Sequence, residues 1–270
     1  MTFDAAALAD EIRLARRDLR RIGPFTARWP EFSLPDGYRV AAELEQQRIA
    51  AGETPVGRKI GFTNRNIWAE YGVYAPIWGT VYDTTLRDAD VAGPVAINSL
   101  SQPRLEPEIV IGLDRDLGRD ATLADAEAAI GWVAHGFEIV QTLFDDWKFA
   151  APDCTADGAL HGLLIVGPRL AIAPHRRRGL AERLAALTIE LRCNGEFVEA
   201  GSGVNVLDGP VHALAFAAGA IAAEPSSRPL TVGELVSTGT MTRAYPISSG
   251  QTWSTRISGF DLPGLDVRFG

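Results

Sequence analysis

The order of apolar and polar positions divides the chain into a helical first part and a strand-rich remainder. Apolar residues recur at alternating steps of four and three from Leu8 to Ile22, which predicts an amphipathic helix stopped by Gly23. A second helix is predicted from Pro35, a residue accepted in a first turn, to the Gly52 stop. Neither predicted helix carries evident chemistry.

After residue 55 the pattern changes to short β-type runs separated by Gly-, Pro- and Asp-rich turns. The runs are VGRKIGF, LEPEIVIGL, GWVAHGFEIV, LLIVG, LTIELRCNG, ELVSTGT and WSTRISGF. The predicted helices among them are Asn64–Tyr71, Leu123–Ile130 and Pro210–Ala223, the last with Asp208 as its N-cap. Because strands and helices do not alternate regularly, a doubly wound parallel sheet is disfavoured.

These patterns predict an α+β protein with a helical N-terminal subregion, residues 1–55, and a β-rich catalytic domain, residues 56–270, forming one integrated structural unit. Hydrophobic residues make up 46% of the chain and charged residues 22%, as in ordinary globular proteins. A formal charge of -8 opposes nucleic-acid binding. The sequence shows no apolar run long enough for a membrane span and no signal-peptide pattern, so a cytoplasmic location is expected.

The first candidate for chemistry is a Glu-x-Glu pattern in the run Leu105–Leu113. Strand alternation places Leu105 and Ile109 on one face and Glu106 with Glu108 on the other. Two strand steps separate the two Glu Cα atoms by about 7 Å, close enough for both carboxylates to reach one ion. Pro107 between them removes a backbone donor, which predicts an edge strand or a bulge.

Glu138 interrupts the apolar run 132–140, where an unpaired carboxylate is costly to bury, so it is expected to face a cation. Three carboxylates without a histidine or thiolate suit a hard ion, Mg²⁺ or Mn²⁺, with Ca²⁺ as a further option, and disfavour Zn²⁺. Lys59 lies in another predicted strand, where an inward-facing lysine would have to meet acid. A Glu-x-Glu pattern alone is most often a solvated face, so the surrounding motifs decide.

Those motifs occur in the order of a known family. They are Gly57-Arg58-Lys59-Ile60-Gly61-Phe62-Thr63, Gly72-Val73, Gly79-Thr80, Gln102-Pro103-Arg104-Leu105-Glu106-Pro107-Glu108-Ile109, Phe137-Glu138-Ile139-Val140, Asp146-Trp147, Thr155-Ala156-Asp157, Asn194-Gly195-Glu196, Gly201-Ser202-Gly203 and Thr238-Gly239-Thr240. In this order the chain resembles the fumarylacetoacetate hydrolase superfamily, in particular its 2-keto-4-pentenoate hydratase and 4-oxalocrotonate decarboxylase branch. Ordered co-occurrence of separate motifs is far rarer than one motif.

The resemblance implies that the three glutamates hold a divalent metal and that Lys59 is the catalytic cation beside the substrate. It also implies a mixed β-sandwich or roll with flanking helices, of the type of that superfamily's C-terminal domain, assembled into a homo-oligomer. The substrate would be a small 2-oxo or 2-hydroxydienoate acid in aromatic or related catabolism. Its implied binding residues are Arg104, Gln141, Asp153, Leu160 and Thr238.

Hydration of a 2-hydroxydienoate is the first expectation, and decarboxylation of a 2-oxo-enedioate is the alternative, because both need an enolate-stabilising metal. The chain departs from the hydratase pattern twice. It has Pro76-Ile77-Trp78-Gly79 where that branch usually shows Pro-Asp-Phe-Gly, and Asp157-Gly158-Ala159-Leu160 where it shows Asp-Asn-Ala-Ser. A decarboxylase must also bind a second carboxylate, for which Arg104 and Arg243 are candidates.

Other functions are less favoured. A carbon–carbon bond hydrolase of this superfamily typically uses a His-Glu pair before the Glu-x-Glu strand, and this chain has no histidine before His135. The sequence also lacks a G-x-S-x-G elbow. Asp153, Asp157 and His161 recur at steps of four, but in a loop with Pro and Gly, which disfavours a second metal site. A non-catalytic subunit that supports a partner enzyme remains an alternative.

Overall fold

A computed structural model describes residues 3–90 and 93–270, with Glu70 and Tyr71 described for their backbone alone. Within these residues the helices are α1 Ala5–Arg17, α2 Phe25–Arg28, α3 Leu34–Ala50, α4 Trp68–Tyr71, α5 Leu123–Ala129, α6 Ala151–Ala156, α7 Leu180–Ala185 and α8 Pro210–Ala223. The strands are β1 Pro55–Gly61, β2 Ile77–Tyr82, β3 Leu86–Asp88, β4 Arg104–Leu113, β5 Ile130–Val140, β6 His161–Val166, β7 Leu170–Ala171, β8 Thr188–Cys193, β9 Glu196–Ser202, β10 Leu235–Thr240, β11 Tyr245–Pro246, β12 Thr252–Ser258 and β13 Asp266–Arg268.

The first predicted helix is present but ends five residues earlier than its apolar stripe suggested. Leu19 adopts a left-handed conformation, with φ 49°, and its side chain is 45% exposed. The Arg20 amide then donates to the Ala15 carbonyl at 2.8 Å, a bond that closes a helix C-terminus. The second helix matches its prediction and begins with a capping box formed by Ser33 and Asp36.

In the described chain the strands form two sheets. A nine-stranded mixed sheet has the order β2-β1-β10-β4-β5-β6-β3, with β11 added beside β4 and β7 beside β5. A four-stranded antiparallel sheet has the order β13-β12-β8-β9. The expectation of a mixed β-sheet fold with flanking helices is confirmed.

The strand β4 is central, so the prediction of an edge at Pro107 is wrong, while the predicted irregularity is present. The pairing of β4 with β10 shifts between Ser237 and Thr240, which places an extra residue on β10. The Pro107 carbonyl accepts a hydrogen bond from the Met241 amide at 3.0 Å. In a strand the nitrogen and the carbonyl of one residue point to the same side, so the Pro107 nitrogen, which carries no hydrogen, also faces the segment of Met241. The bulge therefore accommodates a proline inside the sheet.

Three of the apolar clusters fix the position of these elements. The largest lies between the nine-stranded sheet and α5, α7 and α8, with Ile111 and Leu214 among its members. A second joins the two sheets and includes Leu105, Phe137 and Trp253. Because side chains alternate along a strand, Glu106 and Glu138 point away from the second sheet.

The third cluster packs α1 and α3 on Leu143, Phe144 and Ala156, which attaches the N-terminal helices to the β-rich part. Helix α8 has the predicted bounds, but Asp208 is not its N-cap. Leu207 and Asp208 are both left-handed, so Gly209 takes the capping position. In the described part of the chain, every helix is too short or too polar to cross a membrane.

Candidate metal centre

Glu106, Glu108 and Glu138 converge on one point of the nine-stranded sheet. Glu106 on β4 and Glu138 on β5 are direct partners in the antiparallel register. Each of the three glutamates offers a carboxylate oxygen, and these oxygens lie within 4.8 Å of one another. Glu108 and Glu138 are fully buried, and Glu106 is partly buried. The three side chains singled out in the sequence are therefore brought together.

The Glu108 carboxylate is held from one side only. Its Oε2 accepts hydrogen bonds from Ser237 Oγ at 2.6 Å and from the Gly239 amide at 2.9 Å. Gly239 has φ 106° at the β10 bulge, and a Cβ there would lie 1.7 Å from Thr63 Oγ1, so only glycine fits. Glu108 Oε1 is buried and accepts no hydrogen bond from the described residues.

Lys59 enters the site from β1. Its Nζ lies 3.0 Å from Glu138 Oε2, and both side chains are almost completely buried. The contact is a buried ion pair. The expectation that an inward-facing lysine on this strand meets an acid is met.

Burial and charge together set the protonation of the site. Burial raises the pKa of Glu106 to about 7, with Glu138 adding to the rise against Lys59. Burial, then Glu138 and Glu106, raise the pKa of Glu108 well above its usual range. Burial opposes ionisation of Glu138, but Lys59 and His161 hold its pKa below the usual value.

For Lys59, burial opposes the charged form, but the three carboxylates outweigh it and raise the pKa of the ammonium. Lys59 and Glu138 are therefore the charged pair of this centre.

A pocket of about 430 Å³, partly open to solvent, lies over these groups. Lys59 and Glu106 form its polar end. Its other walls are mostly apolar and are formed by Ile60, Gly61, Phe62, Ile67, Val140, Trp147, Ala159, Leu160, Thr240 and Ala244.

Of the residues expected to bind substrate, one lines this pocket and a second contacts one of its wall residues. Leu160 lines it directly, in a left-handed conformation with φ 64°. Arg104 stacks over Trp147, with its guanidinium carbon 4.2 Å from the ring centroid, and Trp147 is part of the wall. Ile77, the other departure from the hydratase pattern, packs behind Leu160 and Ala159 in one apolar cluster.

The structure does not bring the other three into the pocket. Asp153 caps α6, where its carboxylate accepts hydrogen bonds from Thr26 and Ala150. Gln141 accepts from the Ser101 amide at 3.1 Å and lines a different cavity. Thr238 donates to the Ile109 carbonyl at 2.9 Å within the sheet.

Sequence reasoning missed His161, which contacts Glu138 directly. Its Nδ1 lies 2.9 Å from Glu138 Oε1, although the two residues are 23 positions apart. In the sequence, His161 stands out only as part of a disfavoured second metal site with Asp153 and Asp157. The contact follows from the register of β5 and β6, because β6 runs antiparallel beside β5 and brings His161 near Glu138.

The donor set fits a divalent cation. Three carboxylates face one lysine, and the unsatisfied Glu108 Oε1 is an available ligand atom. Oxygen-only donor sets suit hard ions such as Mg²⁺ and Ca²⁺. A cation bound here would replace the protons that Glu106 and Glu108 otherwise retain.

Comparison with known proteins agrees with this fold. The sequence model of the fumarylacetoacetate (FAA) hydrolase C-terminal domain matches residues 82–262. The 2-hydroxyhexa-2,4-dienoate hydratase of Comamonas testosteroni is 31% identical over 246 residues, which cover 91% of this chain and 90% of that protein. The 2-hydroxypent-2,4-dienoate hydratase of Pseudomonas putida is 32% identical over 212 residues, covering 78% and 92%.

Among solved structures, 4-oxalocrotonate decarboxylase from Pseudomonas putida G7, complexed with magnesium and adipate, superimposes with a TM-score of 0.90 and 30% identity, over 100% of this chain and 99% of that one. The chain belongs to the fumarylacetoacetate hydrolase family. Within it, the chain lies in the branch that contains these hydratases and this decarboxylase. The resemblance seen in the sequence is confirmed.

Proposed function

We propose that the protein is a divalent-metal-dependent lyase that acts on a small 2-hydroxydienoate or 2-oxo acid, with hydration of a 2-keto-4-pentenoate-like substrate as its first activity. The observation that carries the proposal is the meeting of three carboxylates and one lysine at the end of an apolar pocket. The names of the hydratase relatives support the same substrate class.

Glu106, Glu108 and Glu138 are the residues that would hold the metal. Magnesium and calcium in complexes of the related decarboxylase support a divalent ion, and Mn²⁺ is a further candidate. When bound, such an ion supplies Lewis-acid polarisation of the oxygens of a 2-oxo acid. A cytoplasmic location and assembly into a homo-oligomer stay predictions of the sequence.

Lys59 supplies positive charge beside the substrate. Because the surrounding carboxylates raise the pKa of Lys59, its Nζ keeps its proton and is a poor general base. It therefore stabilises negative charge as that charge develops on the substrate. The apolar walls around it, including Ile60, Val140 and Leu160, lower the local dielectric constant and strengthen this interaction.

A second candidate, decarboxylation of a 2-oxo-enedioate, is favoured by the same walls. The cluster of Ile77, Val140, Ala159 and Leu160 places apolar groups where the hydratase pattern has an aspartate and a serine. Such a wall offers no group to activate a water, but it accommodates the loss of neutral CO₂. The related decarboxylase structure supports this reading.

The test incubates the purified protein with Mg²⁺ or Mn²⁺ and either 2-hydroxypenta-2,4-dienoate or a 2-oxo-hexenedioate. Loss of the dienol absorbance reports hydration, and release of CO₂ reports decarboxylation. Turnover of either acid that disappears with EDTA and returns with the metal is expected. Tight metal binding without turnover of either acid would favour a non-catalytic supporting subunit.

A further inference from the structure

His161 forms a buried bridge between the metal centre and the β2–β3 connection. Its side chain is 3% exposed, at the first position of β6. Nδ1 lies 2.9 Å from Glu138 Oε1, and Nε2 lies 2.9 Å from Thr85 Oγ1. Thr85 is itself fixed, since its Oγ1 accepts from the Tyr82 amide at 3.1 Å. The ring therefore connects Glu138 to a fixed point of the backbone.

The chemistry of the two partners sets the direction of the bonds. An ionised carboxylate can only accept, so Nδ1 must carry its proton toward Glu138. Nε2 lies 2.9 Å from the Thr85 hydroxyl, whose single proton can go to Nε2 or to the Tyr82 carbonyl at 3.1 Å. Both ring nitrogens are then occupied, and His161 has no free nitrogen for a metal ion. The ring acts on the centre through Glu138 alone.

The backbone before His161 is tightly constrained. Gly158, Ala159 and Leu160 are all left-handed, with φ of 62°, 54° and 64°. Two of these are not glycine, and such backbone strain persists only where the surroundings over-determine it. Arg16 of α1 holds the start of the turn through Asp157, with Nε 2.8 Å from Oδ1 and Nη2 2.7 Å from the carbonyl oxygen. The position of His161 is thus fixed from both sides.

We propose that His161 is a positioning residue that fixes the Glu138 carboxylate through Oε1, so that Oε2 faces Lys59 and the plane of the group is set for the cation. This inference rests on the proposed metal site. Hydrogen-bond partners that orient metal ligands typically change metal affinity by about 10- to 100-fold when they are removed.

His135 provides a matched control in the same sheet. It is equally buried, and its Nδ1 and Nε2 each lie 2.9 Å from an oxygen, of the Glu108 backbone and of Thr255 Oγ1. The difference is that its partner on the metal side is a backbone carbonyl and not a ligand carboxylate. A purely structural buried histidine should therefore behave like His135.

The experiment measures the Kd of Mg²⁺ alone by isothermal titration calorimetry, together with the thermal unfolding of each metal-free protein. In His161→Asn the amide nitrogen is attached to Cγ, as Nδ1 is, and can still donate to Glu138. In His161→Gln the amide nitrogen reaches the place of Nε2, and the bond to Glu138 is lost. His135→Asn and His135→Gln are the corresponding controls.

We expect His161→Gln to weaken Mg²⁺ binding by about 10-fold or more, and His161→Asn to remain within about threefold of the wild type. Without metal, His161→Gln and His161→Asn should lose similar amounts of stability, because each loses one of the two hydrogen bonds of His161. The His135 variants should lose stability with little change in Kd.

The positioning role would be overturned if His161→Gln bound Mg²⁺ as tightly as the wild type does. It would also be overturned if the Asn and Gln variants lost Mg²⁺ affinity equally and in proportion to their loss of stability. Either result would leave the metal site intact. A wild-type protein that does not bind Mg²⁺ would overturn the metal site and this inference together.

Discussion

Glu106 and Glu138 lie directly opposite each other on neighbouring antiparallel strands, in the interior of the sheet. Two like charges in this arrangement destabilise a sheet unless a cation lies between them. Lys59 neutralises one of the two, through its ion pair with Glu138. With Glu108 as a third carboxylate, the site has three acidic side chains and one lysine, so the lysine alone does not balance their charge.

The replacement Glu106→Gln should therefore remove most of the Mg²⁺ affinity while leaving the fold intact, because a neutral amide is a weaker ligand for a hard dication. Calorimetric titration with Mg²⁺ measures the Kd, and circular dichroism reports the fold. Glu43→Gln, on the exposed face of α3, is the matched control and should bind as the wild type does. Unchanged affinity in Glu106→Gln would contradict the ligand assignment.

The stability of the metal-free protein should fall as pH rises from about 6.5 to about 8. This range lies above the ordinary pKa of 6.5 of His135 and His161, whose lowered pKa values act in the opposite sense at lower pH. The folded-state pKa of Glu106 is about 7 against an ordinary value of 4.5, so the folded protein binds this proton more tightly than the unfolded chain does. The stabilisation of the folded state by the proton on Glu106 is complete below pH 4.5 and is lost as pH rises toward 7. Glu108 acts in the same direction.

Urea unfolding at several pH values in EDTA measures this slope, and Glu106→Gln should reduce it. Glu138 does not reverse the trend, since the pKa of Glu138 lies below its usual value and its contribution is complete above about pH 4.5. Mg²⁺ should stabilise the protein more at pH 8 than at pH 6. A metal-free stability that rises with pH over this range would contradict the argument.

Much of this structure follows from local sequence. Alternation along Leu105–Leu113 places both glutamates on one face whatever the neighbouring strands are. Helix α8 could be placed at Pro210–Ala223 because a proline opens it and small apolar residues fill it. The position of Lys59 inside a predicted strand indicated that it meets an acid, and the family motifs placed it in the site of the three glutamates.

What could not be predicted depends on contacts across the sheet. Pro107 indicated an edge, but a bulge on β10 compensates for the missing donor of a central strand. Leu19 continues the apolar stripe of α1, yet the chain leaves the helix there in a left-handed turn. His161 acts through Glu138, and that pairing depends on the register of β5 and β6.

Arg16→Met should destabilise the protein strongly, although Arg16 lies in the N-terminal helix. Its side chain is 15% exposed and pairs with Asp157, whose side chain is completely buried. Removing one partner of a buried pair leaves an uncompensated charge and costs about 3–5 kcal/mol. Denaturant unfolding measures the change in the free energy of unfolding.

The double replacement Arg16→Met with Asp157→Asn should recover part of that loss, because it removes the unpaired charge. Arg17→Met, which breaks an exposed pair with Asp18, should have little effect. If the Arg16 variant is as stable as the Arg17 variant, the pair does not fix the turn before Leu160.

Leu160 should influence which reaction the site favours. Leu160→Ser introduces a hydroxyl into the apolar wall, which should lower decarboxylation and raise the ratio of hydration to decarboxylation. A polar group in such a wall changes energies by about 1–3 kcal/mol, so a shift on the order of 10-fold in that ratio is expected. Leu160→Ala is the control, because it removes volume without adding a hydroxyl. The same ratio in both variants would show that volume alone matters.

Lys59 provides the sharpest test of how the site works. If its ammonium stabilises charge that develops during the reaction, Lys59→Met should depress kcat far more than it changes KM, because the interaction strengthens only in the transition state. Losing one preorganised donor typically costs on the order of 10²-fold in rate. If Lys59 anchors the substrate carboxylate in the ground state instead, KM should rise while kcat is preserved. Lys148, the other lysine of the sequence, is exposed, and Lys148→Met is the matched control. Steady-state kinetics at saturating Mg²⁺ separates the two roles, and a Lys59→Met enzyme within about twofold of wild type in both constants would exclude each of them.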